Sequence, residues 1–500
     1  MSSFVLSGGR VYGFDPHAAR WACGDALVVR DGHVVSLRIT DADAGTPHIP
    51  LDGRAVYPAF ADCHVHLTDT GLFLGPADLS GVRDAAGFER AVAALPYAGV
   101  VLAGNYDDSA WPHGERASAA PLEREHAGSI AMAVRVDGHS SVVNRRALEL
   151  AALAPETPGI ERDEHGVPTG TLFLEANWRA QARVLAAVPP KQRRAAERRA
   201  TELALREGAL HLHVQLVGLG DREAYAAEIA ALRDAGPAKW HPKICEPDAA
   251  LARSFGLPYV GGDVFLDGSI GSGTAALTAP YHDRPGCGTL MHGDDEVVAY
   301  FAEAEALGVS AGVHAIGDAA IEQCLRAWET VLGGQPSPRN RHFIEHFEIA
   351  TPAQIARAAR LGLFLSMQPQ FDALWGAPGG MYDARLGAER ARGMNALRSA
   401  RSAGAVVVGG DDSPVCRLSP LEGMRAAMQH HNLAERLTVE DALQMYTYDA
   451  ARFGHAERET GTLLPGYAAD FVVLDGDPIA ARSFDGVRVG ETWSDGVRVA

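Results

Sequence analysis

Two histidines, one residue apart, close an apolar run in Pro58-Ala59-Phe60-Ala61-Asp62-Cys63-His64-Val65-His66-Leu67. On a β-strand, residues i and i+2 face the same side, so His64 and His66 would turn both imidazoles to one point at the strand's C-terminal end. Neutral imidazoles arranged in this way ligate a divalent metal ion. The spacing alone is a weak signal, because His211 and His213 repeat it. Its weight comes from company further along the chain. The run 309–313 ends in His314, the run 343–345 ends in His346, and the run 405–410 ends in Asp411 and Asp412. Four histidines and a carboxylate, each closing a strand-like run, make a nitrogen-rich set suited to Zn2+ or a similar ion. Such an ion brings the pKa of bound water to about 7 and polarises a carbonyl, which is hydrolytic chemistry.

Those side chains need strands to hold them. Apolar runs of strand length alternate with Ala-rich helical stretches, as in 309–314 before the helix-like 319–331, and in 363–367 later. Over most of the chain this alternation predicts a parallel α/β barrel or a doubly wound sheet. The ends differ. Residues 26–30 and 33–37 flank Asp31-Gly32, the signature of a type I′ hairpin, and 470–474 with 491–499 read as strands of the same kind. Pairing of the two ends into one sheet would form a small discontinuous domain. The stretch 191–206 carries many arginines interleaved by Glu197 and Glu202, the pattern of a solvated helix face, and the tandem His430-His431 near the end of the chain is expected at the surface.

Composition excludes several classes. The chain has 500 residues and a formal net charge of −18, which repels phosphate backbones and anionic lipid, so neither nucleic acid nor a membrane is expected as a partner. The first residues carry no basic segment and no run approaches the length of a membrane span, so a cytoplasmic protein is expected. The six cysteines show no C-x-x-C pair and are expected to be mostly buried, reduced thiols. Self-association is open.

Taken together, PAFADCHVHL (58–67), DLSG (78–81), DGHSSVVN (137–144), GVPTGTLFLEA (166–176), DGSIGSGTAAL (267–277), HAIGDAAI (314–321), IEHFE (344–348), SMQPQF (366–371), DSPV (412–415) and GTLLPGYAADFVVLDGDP (461–478) closely resemble the amidohydrolase superfamily. The resemblance is to its YtcJ-like branch, which includes N-substituted formamide deformylases, and it runs nearly end to end. It implies a distorted TIM (β/α)8 barrel at 58–455 with an inserted lid or substrate segment at about 68–200. It also implies a small discontinuous β-sandwich built from 1–57 and 456–500.

By the same resemblance, His64, His66, His314, His346 and Asp412 are metal ligands, with Asp411 either supporting a ligand from behind or structural. Asp263 stands where the branch often has a bridging lysine, and is a candidate ligand to one or two ions, most simply Zn2+. Gly273 stands where an arginine is common, which removes an anion clamp. Asp137, His139 and Glu175 are candidate substrate contacts, His139 also as an oxyanion donor. The implied reaction is cleavage of a C–N bond in a small amide, N-substituted formamide or cyclic amide by activated water, with Asp412 as general base. The alternatives on the same site are deamination, lactone opening, or metal binding without turnover.

Overall fold

In the computed structural model, the apolar run ending at His64 is a strand, Phe60–Val65 (β1), buried along its whole length. The structure describes residues 3–500 apart from 109, 110, 137, 139 and 219. Further strands follow in chain order: Ala209–Leu216 (β2), Lys243–Ile244 (β3), Tyr259–Phe265 (β4), Ser310–Ala315 (β5), Phe343–His346 (β6), Phe364–Met367 (β7) and Val406–Gly409 (β8). β2 pairs in parallel with β1, with β3 and with the short Lys239–Trp240 that precedes β3. β4 to β8 pair in parallel, each with the next. Strands buried on both faces read as continuous apolar runs, which is how these appear in the sequence.

Helices separate the strands, among them Arg222–Asp234 after β2, Asp294–Leu307 after β4, Asp318–Leu332 after β5 and Pro352–Arg360 after β6. Asp318–Leu332 shows why they form. Ile321, Cys324, Leu325 and Trp328 share its buried face at helical spacing, and Gly333 ends it in the left-handed conformation at φ 62°. Trp328 then stacks on Phe301 of the preceding helix with ring centroids 3.8 Å apart. The arrangement is TIM-barrel-like, but its hydrogen bonds form one sheet of four strands and one of five rather than a closed ring. At one seam, β8 meets β1 through Asp412 N donating to His64 O at 2.8 Å. There, a Cβ on Gly410 would lie 2.6 Å from His64 N, so only glycine lets the two backbones approach.

Strands from both ends of the chain pair in one eight-stranded sheet. Phe4–Asp15 lies between Arg20–Arg30 and Ala55–Pro58, and Ala55–Pro58 pairs antiparallel with Phe471–Leu474. The hairpin after Arg30 turns at Asp31 and Gly32 with φ of 51° and 79°, the two positive angles a type I′ turn requires. Tyr57 Oη donates to Asp477 Oδ1 at 2.8 Å across 420 residues of chain, and Tyr12 Oη donates to Oδ2 of the same carboxylate at 2.9 Å. These hydrogen bonds define one sheet; two sandwiched layers go beyond them.

Contacts divide the chain into two compact units, Met1–Val65 with Thr201–Asp412 and Cys416–Ala500, and His66–Ala200 with Ser413–Val415. The second unit carries its own five-stranded sheet, in the order Ile160–Arg162, Pro168–Phe173, Ser140–Val143, Ile130–Arg135, Val100–Tyr106. Two sequence expectations are corrected here. Helix Pro190–Arg206 does expose Arg194, Arg198, Arg199 and Glu202, but Glu197 is not on that face: it is fully buried beside Ala196 and Ala200, and accepts a hydrogen bond from Thr68 Oγ1. His430 is buried at the end of helix Pro420–Gln429, with Nε2 3.1 Å from Asn395 O, whereas His431 is exposed as expected, its Nδ1 3.0 Å from Asp372 Oδ2. Cys63, Cys245, Cys324 and Cys416 are buried, Cys287 is half-buried and Cys23 is exposed, all as free thiols. Among the described residues no helix is long and apolar enough to cross a membrane.

Candidate metal centre

His64 is wholly buried on β1 and its Nε2 points at two carboxylates, Asp412 Oδ1 at 3.2 Å and Asp263 Oδ2 at 3.4 Å. Asp263 comes from β4 and turns its other oxygen to two more imidazoles, His346 Nε2 at 3.7 Å and His314 Nδ1 at 3.8 Å. His314 comes from β5 and His346 is the last residue of β6. Chain geometry sharpens the convergence: His346 and Asp412 hold positive φ of 70° and 54°, which turns the backbone abruptly as it leaves β6 and β8. Left-handed conformations at non-glycine residues are costly and concentrate at functional sites.

Separations of 3.2 to 3.8 Å between these nitrogens and oxygens are long for charged hydrogen bonds, but match the edges of a ligand shell drawn at about 2.1 Å around one ion. Two sets, His64 with His346 and Asp412, and Asp263 with His314 and His346, each bring their ligand atoms within 4.8 Å of one another. The donor set is imidazole and carboxylate, the chemistry of zinc and its neighbours. The residues therefore fit a divalent ion, and His346 belongs to both sets.

Charge follows the same geometry. Burial alone would lower His64, but Glu345, Asp263 and Asp412 outweigh it and raise its pKa well above the usual imidazole value. Burial would raise Asp263, yet His64, His314 and His346 hold it well below the usual carboxylate range. His314 is likewise pushed down by burial and up by Asp263 and Asp267, with a net rise.

A second layer holds these ligands, and most of it escaped the sequence. Glu345, next to His346 on β6, sets Oε2 at 2.8 Å from His64 Nδ1 and Oε1 at 2.7 Å from the buried Lys243. Gln368 Oε1 is 2.8 Å from His346 Nδ1. Asp267 accepts the backbone N–H groups of Ala276, Ile316 and Gly317 at 2.8, 3.0 and 2.8 Å, which fixes the turn after His314. Asp62, two residues before His64 and so on the same strand face, accepts from His64 N and Asp411 N, and its burial raises its pKa to about 7. The available signal was an ionisable residue inside an otherwise apolar strand, as in Phe343-Ile344-Glu345-His346.

The remaining candidates divide. Asp411 is fully buried, and its carboxylate accepts from Gln370 Nε2 at 2.9 Å and Ser419 N at 2.6 Å. His66 is the first residue of the unit His66–Ala200, half-buried, at the N-cap of helix Leu67–Leu72, with its N–H on Ser413 O at 3.0 Å. Glu175 lies in the same unit, half-exposed and 2.7 Å from Arg179. Asp137 and His139 lie outside the described residues. The second H-x-H pair is elsewhere on β2. His211 Nδ1 meets His241 Nε2 at 3.3 Å and the His213 ring stacks on His241 at 4.4 Å, whereas Gln215, nearer the C-terminal end of β2, reaches His64. At Gly273 the space of the missing side chain is already taken, because Arg284 lies across it and donates to Ser272 O at 3.1 Å.

Residues 49–500 match the amidohydrolase family. YtcJ of Bacillus subtilis (strain 168) is 29% identical over 495 residues, covering 91% of this chain and 90% of its own. A protein of Arthrobacter pascens named N-substituted formamide deformylase is 27% identical, covering 96% of this chain and 95% of its own. Among solved structures, an uncharacterised metal-dependent hydrolase from Pyrococcus horikoshii OT3 superposes with a TM-score of 0.80 at 26% identity, covering 96% of this chain and 99% of that one. With buried histidines and aspartates converging from the ends of five strands of a barrel-like arrangement, and a match that covers nine-tenths of its length, the chain belongs to the amidohydrolase family.

Proposed function

We propose that this protein is a metal-dependent hydrolase that cleaves a C–N bond in a small amide, N-substituted formamide or cyclic amide. The observation that carries the reading is the convergence of His64, Asp263, His314, His346 and Asp412, all buried, on one point. The name of the Arthrobacter pascens relative supports the substrate class. His64, His66, His314, His346, Asp263 and Asp412 would hold one or two divalent ions, most simply Zn2+. Such an ion supplies a Lewis acid for the carbonyl oxygen and brings water to ionise near neutral pH.

The chain's own residues do the rest. Asp412 has the most accessible side chain of the carboxylates around His64, at 10% against 3% for Asp263 and 0% for Glu345. It takes the proton of the attacking water at a carboxylate oxygen and returns it to the departing amine, so that no net charge builds up in the site. The Phe265 ring lies 4.6 Å from His314 and that of Phe371 lies 6.0 Å from His346, so apolar faces border the ligands and keep bulk water from competing with substrate.

The test is elemental analysis of chelator-free protein together with hydrolysis of a panel of N-substituted formamides, linear amides and lactams. At least one ion per chain and turnover of a panel member are expected. Protein that binds no metal and hydrolyses nothing would sink the reading.

A further inference from the structure

The imidazole of His64 has two neighbours at Nδ1 that demand opposite tautomers. Glu345 Oε2 lies 2.8 Å away and, as an acceptor, requires a hydrogen on Nδ1. Gln215 Nε2 lies 3.1 Å away and, as a donor, requires a lone pair there. The amide is held in this sense by Cys245 Sγ, which donates to Gln215 Oε1 at 3.2 Å, and its nitrogen also reaches Glu345 Oε1 at 3.4 Å. With the hydrogen on Nδ1, Nε2 keeps its lone pair toward Asp263 and Asp412; with the other tautomer the lone pair turns away from them.

The carboxylate is braced to win that competition. Lys243 Nζ donates to Glu345 Oε1 at 2.7 Å and to Cys63 O at 3.1 Å, so one ammonium ties down both the carboxylate behind the His64 ring and the peptide group before His64. Lys243 Nζ itself sits over the rings of Phe343 and Phe453, 4.7 and 4.6 Å from their centroids. Lys243, Glu345 and His64 all have side chains at 0% exposure. A buried ion pair is a poor source of stability, since apolar replacements of similar volume are often as good or better. A pair retained at that cost and aimed at a ligand has the form of the outer partners that orient metal-bound histidines.

We infer that Glu345, braced by Lys243, is the positioning residue that fixes the ring orientation and tautomer of His64 for a bound ion. The inference rests on the metal-site reading above and assigns to two residues outside the ligand set the role of preparing one ligand.

The test uses the full chain freed of metal, with cobalt(II) as probe, followed by its visible spectrum and by competition with a chelator. Wild type, Glu345→Asp, Glu345→Gln, Glu345→Leu and the double variant Lys243→Met/Glu345→Leu are compared, with thermal melts alongside. Cobalt affinity is expected to fall roughly 10- to 100-fold in Glu345→Leu, less in Glu345→Gln, and to recover in part in Glu345→Asp. The double variant decides between roles, because it removes the buried charges together. It is expected to melt at or above wild type, yet to bind cobalt as weakly as Glu345→Leu and with a changed spectrum. A double variant that binds cobalt as tightly as wild type would overturn the inference by making the pair purely structural. A wild-type chain that binds no cobalt would instead overturn the metal-site reading beneath it.

Discussion

Asp263 Oδ2 lies 3.4 Å from His64 Nε2, while Asp263 Oδ1 faces His346 and His314 at 3.7 and 3.8 Å, so one carboxylate from β4 spans three histidines of three other strands. A residue in that place can join two ion positions as well as hold one.

Replacing Asp263 by alanine is therefore expected to lower bound metal per chain and to reduce hydrolysis by at least about 100-fold. Elemental analysis of variant and wild type, purified side by side without chelator, checks this. A fall from two ions to one would make Asp263 a bridge, and unchanged metal content would remove it from the ligand set.

Asp412→Asn keeps the shape of the side chain and discards its basicity. The expected result is a loss of about 10²- to 10⁴-fold in kcat with metal still bound. Loss of the metal together with the activity would mean that Asp412 serves first as a ligand.

Three histidines, His342 buried, His241 half-buried and His455 more exposed, make stability depend on pH. Burial, with His211 and Lys243 nearby, pushes His241 down to about 3. Burial lowers His342 to about 4 against the pull of Glu305, and burial with Arg341 lowers His455 to about 4. Each has a folded pKa below the unfolded value of about 6.5, so the unfolded chain binds more protons below that pH. Their contribution to stability is complete above about pH 6.5 and is lost progressively as pH falls toward 4 and then 3. The thermal midpoint is expected to drop between about pH 7 and pH 5, and to drop less in His342→Asn. A midpoint that does not move over this range would mean that these imidazoles protonate as easily in the fold as outside it.

Gly273 has φ of 74° and lies under the Arg284 guanidinium, so a side chain there must adopt a left-handed backbone and displace a cation. Gly273→Arg is expected to reduce unfolding free energy by about 1–2 kcal/mol from the backbone alone, read by urea titration. Equal stability would mean that Arg284 leaves its place on Ser272 O without cost.

The strands and the candidate ligands on them were legible because parallel barrel strands are apolar throughout, so each ionisable residue at a strand end stands out. The runs ending at His314 and His346 became β5 and β6 within a residue of the expected bounds, and the run ending at His64 became β1 with its start two residues later. Glu345 and Lys243 were hidden for the same reason in reverse. Each is buried by contacts from a different strand, and sequence spacing carries no trace of a pairing 102 residues apart. The same blindness placed His430 on the surface, since its burial depends on Asn395 and Asp372 from other segments. The break between the two parallel sheets was equally invisible, because it depends on where two-residue β3 stops pairing.

The ladder between Ala55–Pro58 and Phe471–Leu474 has a consequence for how the chain is made. A polypeptide emerging from the ribosome presents Ala55–Pro58 with one bare flank for as long as it takes to synthesise the barrel. An uncovered apolar strand is a template for pairing with other nascent chains. Folding of this sheet is thus a late event that closes a very long loop, and the interval before it is when the protein is most exposed to aggregation and most in need of chaperones.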